Sequence, residues 1–328
     1  MKNPNSDSAR KDIRKEESGV TSQSGLPPDY LKRLQTNGGH FPCPETNITV
    51  QPLAKIPPPT HTSAEVRIAL NHQGSSSDIV GRCGSDKVSR RNLQTLAPGQ
   101  WLSDEVIHCW YSLLAKGDAT TYRTHGGSGK RSHFFKSFFF TSLLKDGKEG
   151  SYCYDEVKSW SKKVPGGDIF ELDKIIVPCN CDNMHWTCLC VYMQKRSIVY
   201  YDSMHYSMNG KDQHFLLGMM HYIKEEHKAK KRCELPYSES WSLVTDPLCP
   251  QQENNHDCGV FSCMIAECLS KNVQPDFTQQ DVTRNARSWI VTTILHEGPP
   301  HPPPLAPPPP AETRRRTPTA TMMMKTTI

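Results

Sequence analysis

The sequence lacks any apolar run that approaches the roughly 18 residues needed to span a membrane. Its polar start, MKNPNSDSARKDIRKEE, also lacks the apolar stretch of a secretion signal. The formal charge is only +5 over 328 residues, which gives little support to nucleic-acid binding. These absences predict a protein with no membrane span, no secretion and no nucleic-acid partner.

The 13 cysteines follow no regular disulfide framework, and their number is odd. Several lie inside the apolar runs CLCVYM and FSCMIAECL, where thiols behave as small hydrophobic side chains. This usage favours a reducing, intracellular compartment.

Both ends of the chain lack the apolar periodicity of a folded core. Residues 1–85 are rich in Ser, Pro, Asn and Gly and predict a disordered N-terminal arm. Residues 298–328 carry a proline run, which favours polyproline II and predicts a disordered tail. This tail is compatible with recruitment of SH3 or WW domains, although such runs also serve as plain spacers. Residues 86–297 predict one α+β domain.

Within this domain the patterns alternate between helix and strand. The segment DEVIHCWYSLLAK has the apolar spacing of a packed helix, and the Gly-rich GDATTYRTHGGSGKRS after it predicts a loop. Three runs, DKIIVPCN, HWTCLCVYM and RSIVYYDSM, predict neighbouring strands of one sheet. The segments FLLGMMHYIKEEHKAKK and VFSCMIAECLSK predict two further helices.

Cys258, in NNHDCGVFSCMIAECL, stands directly before the second of these helical patterns. A thiol at a helix N-terminus faces the positive end of the dipole, which lowers its pKa and favours the nucleophilic thiolate. Gly259 leaves the backbone beside the sulfur unhindered. Taken alone, Cys258 fits a nucleophile and a buried structural thiol about equally well.

Three further residues supply what a nucleophilic cysteine requires: an imidazole, an orienting acid and an oxyanion donor. His185 stands where a polar turn meets the second predicted strand, and Asp202 ends the third, so they meet if those strands are neighbours. Gln252 lies six residues before Cys258, where its amide can donate to an oxyanion. Each residue alone also has an ordinary explanation, as a surface histidine, a turn-forming acid or a loop glutamine.

The order His, Asp, Gln, Cys, within HW, YYDS, PQQ and DCG, is similar to that of the ubiquitin-like-protein-specific protease family, the sentrin or SUMO proteases. The segments WLSDEVI, FFFTSLL, VKSWSKKV, LDKIIVP, NMHW, PQQENNHDCGVF and FTQQDV occur in the order expected of that family. The resemblance implies a papain-like α+β fold with a central mixed sheet flanked by helices and a circularly rearranged catalytic order. It also implies cleavage after the C-terminal Gly-Gly of SUMO, in precursors and lysine conjugates, with no cofactor.

By this resemblance, four residues carry the reaction. Cys258 is the nucleophile, His185 the general base and acid, and Asp202 the orienter of the histidine. Gln252 is an oxyanion donor. A non-catalytic adaptor that only binds SUMO is the alternative from another functional class, and loss of a catalytic residue would be its signature. All four positions are filled here.

The resemblance also implies residues that bind the modifier. Trp101 and Trp186 match two tryptophans that close a narrow tunnel around the Gly-Gly end, and Asp104 matches an acid that pairs with a basic residue of SUMO. Without the resemblance, core packing explains both tryptophans. Ser103 and Lys136 stand where asparagine is usual, and the Gly-rich loop is longer than usual, so these departures bear on modifier recognition.

The segment CNCDNMHWTCLC allows a different interpretation, a structural zinc site made by two Cys-x-Cys pairs and a histidine. Zinc sites more often use the wider Cys-x2-Cys spacing. On a strand, Cys188 and Cys190 lie on one face with Trp186, while His185 lies on the other. One tetrahedral site would have to reach both faces, so an enzyme without a metal is favoured.

The choice of modifier and the location rest on weaker patterns. The segments YYDSM, FTQQ and VKSWSKKV are more similar to SUMO-directed members than to the NEDD8-directed branch. SUMO and its conjugates are therefore the predicted partners, with NEDD8 or another ubiquitin-like protein as the alternative. Family members are commonly nuclear, and KAKKR and TRRRTP are compatible with a nuclear or nucleocytoplasmic location. We expect a monomer.

Overall fold

The computed structural model describes residues 63–71, 74–145, 152–204 and 211–296. The predicted Pro-rich tail and most of the predicted N-terminal arm lie outside these residues. The helices and strands, in chain order, are α1 (Ser63–Asn71), β1 (Ile79–Cys83), β2 (Asp86–Ser89), α2 (Arg90–Gln94), α3 (Asp104–Thr124), β3 (Ser132–Phe134), α4 (Phe138–Leu143), β4 (Lys174–Cys181), β5 (His185–Tyr192), β6 (Ser197–Tyr201), α5 (Lys211–Lys231), β7 (Ser242–Thr245), α6 (Cys258–Ser270), α7 (Gln279–Asp281), a π-helical turn (Val282–Ala286) and α8 (Arg287–Leu295).

A mixed five-stranded sheet forms the centre, in the order β3-β4-β5-β6-β7. The strands β4, β5 and β6 are antiparallel neighbours, while β3 and β7 pair in parallel at the two edges. The three central strands are the ones predicted from their β-branched and aromatic runs. Because helices cover both faces, these strands are buried almost throughout. The predicted α+β class with a central mixed sheet flanked by helices is confirmed.

Alternate residues of the strands face two separate cores. The α6 face, which contains Ile176 and Cys188, packs against α3, α6 and α8. The α5 face, which contains Ile175 and Leu189, packs against α4 and α5. The sheet therefore separates two apolar layers, and α6 lies inside one of them.

Helix α6 is anchored along its length. The indole N–H of Trp110 in α3 donates to the carbonyl of Cys263 over 2.9 Å. At the far end, the buried Lys174 Nζ donates to the carbonyl of Leu269 over 2.9 Å and also to Asn272 Oδ1. A cation there offsets the negative end of the helix dipole. These contacts fix the middle and the C-terminal end of α6.

The folded domain begins before the predicted boundary at residue 85. The strands β1 and β2 form an antiparallel hairpin, and α1 packs beside α8 through the buried Val66. A Cβ atom at Gly81 would lie only 2.5 Å from the Ile294 side chain, so the hairpin lies directly on α8. The prediction of disorder was therefore wrong for residues 63–71 and 74–85. These short elements carry few apolar residues, but they bury those residues against a core formed by the rest of the chain.

Helix α3 is longer than the sequence predicts. It continues through Gly117 to Thr124, so the predicted Gly-rich loop is confined to residues after the helix. A glycine inside a helix costs about 1 kcal/mol relative to alanine. Asp118 offsets this cost, since it pairs with Arg131 and accepts the backbone N–H of Ser132 over 3.0 Å. Tertiary contacts have overridden the local signal.

Cys83 of β1 and Cys109 of α3 form a disulfide, with their Cα atoms 5.1 Å apart. The sequence did not predict this pair, because Cys83 falls in the segment that was predicted to be a disordered arm. The other cysteines in the described ranges are free, and most are buried. Among the described residues, no helix has the length and apolar character required to cross a membrane.

Candidate active site

Cys258 is the first residue of α6, the position that the sequence predicts. Its side chain is buried, as is every residue of the helix from Cys258 to Leu269. The backbone N–H groups of a first turn have no partner within their helix, and they add to the positive end of its dipole. The Cys258 side chain therefore lies at the positive end of this helix dipole.

His185 and Asp202 meet at one end of the sheet. His185 opens β5, and Asp202 directly follows β6, the antiparallel neighbour of β5. The His185 Nε2 atom lies 2.7 Å from Asp202 Oδ1, and both side chains are buried. The backbone N–H of Met204 donates to the same oxygen over 2.9 Å, which orients the carboxylate. The predicted meeting of the two strand ends is confirmed.

The charge state of His185 follows from its neighbours. Burial by itself lowers the pKa of His185, but hydrogen bonds and charge interactions with Asp202 and Cys258 outweigh burial and raise the pKa to about 9. The Nδ1 atom is buried and has no hydrogen-bonding nitrogen or oxygen partner within the described residues. This ring atom is thus available to the Cys258 sulfur, and the imidazole carries a positive charge at neutral pH.

Gln252 is tied to the residue that follows Asp202. The Ser203 hydroxyl donates to Gln252 Oε1 over 2.7 Å, and the backbone N–H of Gln252 donates to the Ser203 carbonyl over 2.8 Å. One hydrogen of the Gln252 amide is used by the Asn254 carbonyl, at an N···O distance of 2.5 Å. Because an amide nitrogen has two hydrogens, the second is left for an oxyanion. The loop before α6 is therefore joined to the end of β6.

The neighbouring glutamine was missed by the sequence reasoning. Gln251 donates its amide hydrogens to the carbonyls of Asp202 and Cys249, each over 2.9 Å. It thereby holds the backbone of the residue that orients His185. The doubled glutamine in PQQ was the available signal, since two adjacent amides in a loop can each bind backbone groups.

A buried ion pair directly before the cysteine was also missed. Arg287 Nη2, at the start of α8, lies 2.6 Å from Asp257 Oδ1, and both side chains are under 10% exposed. Burial by itself raises the pKa of Asp257, but hydrogen bonds from Asn254 and Arg287 outweigh it and hold the pKa below its ordinary value. The signal was the arginine itself, which is the charged residue of the otherwise uncharged segment RSWIVTTIL.

The predicted modifier-binding residues lie on two elements that flank the cysteine. Trp186 follows His185 on β5 and is 7% exposed, whereas Trp101 is 51% exposed just before α3. Asp104 is exposed at the first position of α3. The residue after Trp101, Leu102, is so close to Gly259 that a Cβ atom at Gly259 would lie 3.0 Å from Leu102 Cβ. The segment that carries Trp101 therefore packs against the residue next to Cys258.

The cysteines of CNCDNMHWTCLC do not form a common site. Cys188 and Cys190 lie on the α6 face of the sheet, while Cys179 and Cys181 lie on the α5 face. In the part of the chain that the structure describes, no three His, Cys, Asp or Glu side chains are placed to hold one metal ion. The sheet itself separates the sulfurs that a zinc ion would need to share.

Comparison with known proteins gives the same picture for the fold and the family. The sequence is 30% identical to the putative ubiquitin-like-specific protease 1B of Arabidopsis thaliana over 217 residues, which cover 66% of this chain and 58% of that protein. It is 30% identical to the human sentrin-specific protease 2 over 235 residues, 71% of this chain and 36% of that protein. The chain thus spans less than two thirds of the length of these relatives.

A solved structure of the C-terminal Ulp1 protease domain, in complex with SMT3, the yeast ortholog of SUMO, is also similar. The TM-score is 0.59 with 27% sequence identity, and the match covers 74% of this chain and 97% of that one. A SUMO protease Ulp1 with its catalytic cysteine oxidised to a sulfenic acid matches equally well, with a TM-score of 0.59 and 27% identity over 75% of this chain and 99% of that one.

The match to a family model is broader than any single motif. The model of the Ulp1 protease family, C-terminal catalytic domain, matches residues 100–296. These residues are more than half of the 328 in the sequence and include every predicted site residue. The matched range, the shared fold and the similar relatives lead to one conclusion: the chain belongs to the Ulp1 protease family.

Proposed function

We propose that this protein is a cysteine isopeptidase that cleaves after the C-terminal Gly-Gly of SUMO, in precursors and in lysine conjugates. The observation that carries the proposal is the buried His185–Asp202 pair, 2.7 Å apart, at the site where Cys258 begins α6. SUMO is supported as the modifier by the relatives, which include sentrin-specific proteases and a Ulp1 domain solved with SMT3.

The first half of the reaction forms an acyl enzyme. The Cys258 thiolate attacks the carbonyl carbon of the terminal glycine, and the electron pair of the C=O bond moves to the oxygen. The backbone N–H of Cys258 and the Gln252 amide donate to this oxyanion, a contribution of about 3 kcal/mol. When the intermediate collapses, the C–N bond breaks and the His185 imidazolium gives its proton to the departing amine. The products are a free lysine or peptide amine and a thioester.

The second half releases the modifier. The neutral His185 takes a proton from a water molecule, whose oxygen attacks the thioester carbon. The C–S bond then breaks, and the modifier leaves with a free C-terminal carboxyl group while Cys258 returns as a thiolate. Asp202 keeps the ring oriented and stabilises its charged form throughout. All bonds made and broken are accounted for without a metal or other cofactor.

Glycine selectivity would come from the two tryptophans. Leu102, the residue after the half-exposed Trp101, packs against Gly259 at the start of α6, and Trp186 directly follows His185. A slot between two indole rings admits a glycine backbone but excludes a side chain. Asp104, exposed beside Trp101, would pair with a basic residue of the modifier.

Side-by-side cleavage of reporters fused to the C-termini of SUMO, NEDD8 and ubiquitin tests the proposal. We expect the SUMO reporter to be cleaved fastest and the Cys258→Ser protein to be inactive but folded. Faster cleavage of NEDD8 or ubiquitin would overturn the choice of modifier. SUMO binding without cleavage of any reporter would instead favour the adaptor function.

Location, assembly and the tail belong to the same proposal. The basic segment KAKKR lies at the C-terminal end of α5, where Lys228 and Lys231 pair with Glu234 and Asp168. We propose a monomeric enzyme with a nuclear or nucleocytoplasmic location, which fractionation and light scattering would test. Recruitment of SH3 or WW domains by residues 298–328 stays a prediction, because those residues lie outside the described structure.

A further inference from the structure

Arg287 is a buried cation with more partners than one ion pair requires. Its Nε atom donates to Asp257 Oδ1 over 3.0 Å, and Nη2 donates to the same oxygen over 2.6 Å. A buried pair of this kind carries a large desolvation penalty, which is offset only when the remaining donors are also satisfied. Backbone carbonyls accept hydrogen bonds from the other N–H groups of Arg287.

The rest of the guanidinium binds the backbone that leads to Trp101. Nη1 donates to the carbonyls of Thr95 and Ala97, over 3.1 and 3.0 Å, and Nη2 donates to the carbonyl of Gln100 over 2.7 Å. These residues precede Trp101 directly. One side chain therefore joins the start of α8, the residue before Cys258 and the segment that carries Trp101.

Asp257 extends this link to the loop that carries Gln252. Its second oxygen, Oδ2, accepts from Asn254 Nδ2 and from Gln279 Nε2, each over 2.8 Å. Gln279 Oε1 in turn accepts the backbone N–H of Glu253 over 2.8 Å. Both sides of the predicted site, the Trp101 segment and the oxyanion loop, are thus held by the Arg287–Asp257 pair.

The segment that carries Trp101 packs so closely against the start of α6 that it has little room to move. A Cβ atom at Gly259 would lie 3.0 Å from Leu102 Cβ, so the residues after Trp101 and after Cys258 are in direct contact. Any shift of residues 95–102 would therefore change the position of the Trp101 ring relative to the Cys258 sulfur. The hydrogen bonds from Arg287 to residues 95–100 oppose such a shift.

We infer that Arg287 is a positioning residue that sets the distance of Trp101 from Cys258 and thereby the selectivity for glycine ahead of the cleaved bond. This inference rests on the proposed function, because glycine selectivity has meaning only for a protease that accepts a Gly-Gly terminus. Arg287 contacts no reacting atom and acts through residues 95–102 and Asp257.

The test compares Arg287→Lys with Arg284→Lys in the full chain. Lysine at 287 keeps a positive charge opposite Asp257 but cannot reproduce the planar fork that reaches several carbonyls at once. Arg284 is exposed on the π-helical turn before α8 and serves as the matched control. Gly259→Ala is a second route to the same displacement, because its methyl group would press on Leu102.

Reporters that end in Gly-Gly and in Ala-Gly provide the readout. For Arg287→Lys and Gly259→Ala we expect kcat/KM on the Gly-Gly reporter to fall roughly 10- to 100-fold, mainly through kcat, because the reacting carbonyl is misplaced. The preference for Gly-Gly over Ala-Gly should fall about 10-fold in both variants. Arg284→Lys should match the wild type. A folded Arg287→Lys protein with unchanged preference would overturn the inference, and if that variant does not fold, an unchanged preference in Gly259→Ala would do so.

Hydrogen exchange separates this inference from the proposed function. At a temperature where both proteins are fully folded, backbone amides of residues 95–102 should exchange faster in Arg287→Lys than in Arg284→Lys. A wild-type protein that cleaves no reporter would overturn the proposed function. Hydrogen exchange would still show in that case whether Arg287 restrains residues 95–102. Unchanged exchange in residues 95–102 would overturn the inference even in an active enzyme.

Discussion

The two faces of the central sheet differ in what they bury. On the α5 face, aromatic rings pack on one another, with the Phe139 ring centre 4.3 Å from that of Phe135 and 4.9 Å from that of Tyr222. The α6 side carries the helix that begins at Cys258 and the buried Asp257–Arg287 pair. Aromatic side chains stabilise by burial alone, whereas buried charges require a complete set of partners. The α5 face is therefore suited to stability, and the α6 side to holding a site in one geometry.

Among single substitutions at the predicted site, loss of the His185 imidazole should have the largest effect on the reaction. We expect His185→Ala to lower kcat by about 10²- to 10⁴-fold, because the variant lacks the imidazole that gives its proton to the departing amine. The melting temperature should also fall, because the buried Asp202 carboxylate loses its charged partner. Steady-state cleavage of a SUMO reporter measures the first effect and thermal unfolding the second. His125→Ala, at an exposed histidine after α3, is the control. Retention of more than half of the activity in His185→Ala would contradict the role of His185 as the proton donor.

Truncation of an aromatic side chain on the α5 face should lower the stability of the fold and leave the reaction unchanged. Phe139 is 0% exposed, so Phe139→Ala should lower the free energy of unfolding by about 3 to 5 kcal/mol. The folded fraction should keep the wild-type kcat. Its chain neighbour Phe138 is 50% exposed, and Phe138→Ala should cost less than about 1 kcal/mol. Urea unfolding of both variants measures the difference, and equal losses would show that the α5 face does not depend on this ring.

The pH dependence tests the electrostatics of the His185–Asp202 pair. With a raised pKa of about 9, His185 keeps its proton at neutral pH and loses it as the pH rises through that value. We expect kcat/KM to fall above pH 9 because the proton for the departing amine is lost. Asp202→Asn removes the partner charge and should move this alkaline limit down by about 1 to 3 pH units.

The same pair contributes to stability with a defined sign. A histidine with an unfolded pKa near 6.5 and a raised folded pKa stabilises the fold fully below about pH 6.5. That contribution is lost as the pH rises towards and through about 9. Unfolding measurements between pH 6 and 10 should show this loss in the wild type and a smaller one in Asp202→Asn. Identical curves for the two proteins would contradict the assignment.

The smallest effect is expected from the hydroxyl that orients Gln252. Ser203→Ala removes the 2.7 Å hydrogen bond to Gln252 Oε1, a bond of about 0.5 to 1.5 kcal/mol. We expect kcat to fall about 2- to 10-fold with little change in KM. Ser197→Ala, at the other end of β6, also removes a hydroxyl contact, a 2.8 Å bond to Ser242, and serves as the control. Equal activity of the two variants would argue against a role for the Gln252 amide.

Much of the fold could be predicted because its signals are local. The three central strands and the start of α6 follow from apolar runs, and the meeting of His185 with Asp202 follows from neighbouring strands. The ordered segment at residues 63–71 could not be predicted, since Val66 is buried only because α8 is present. The continuation of α3 past Gly117 likewise depends on Asp118 binding the chain at Arg131.

The sequence by itself determined the order of the four predicted catalytic residues and the elements that carry them, because periodicity and helix-start signals depend on neighbouring residues. Only the tertiary structure determined which basic side chain each buried carboxylate binds. Asp202 binds His185, 17 residues away, and Asp257 binds Arg287, 30 residues away. Arg287 also binds the carbonyl of Thr95 across 192 residues. Contacts over such separations depend on the tertiary fold, which brings distant segments of the chain together, and no local sequence pattern encodes that fold.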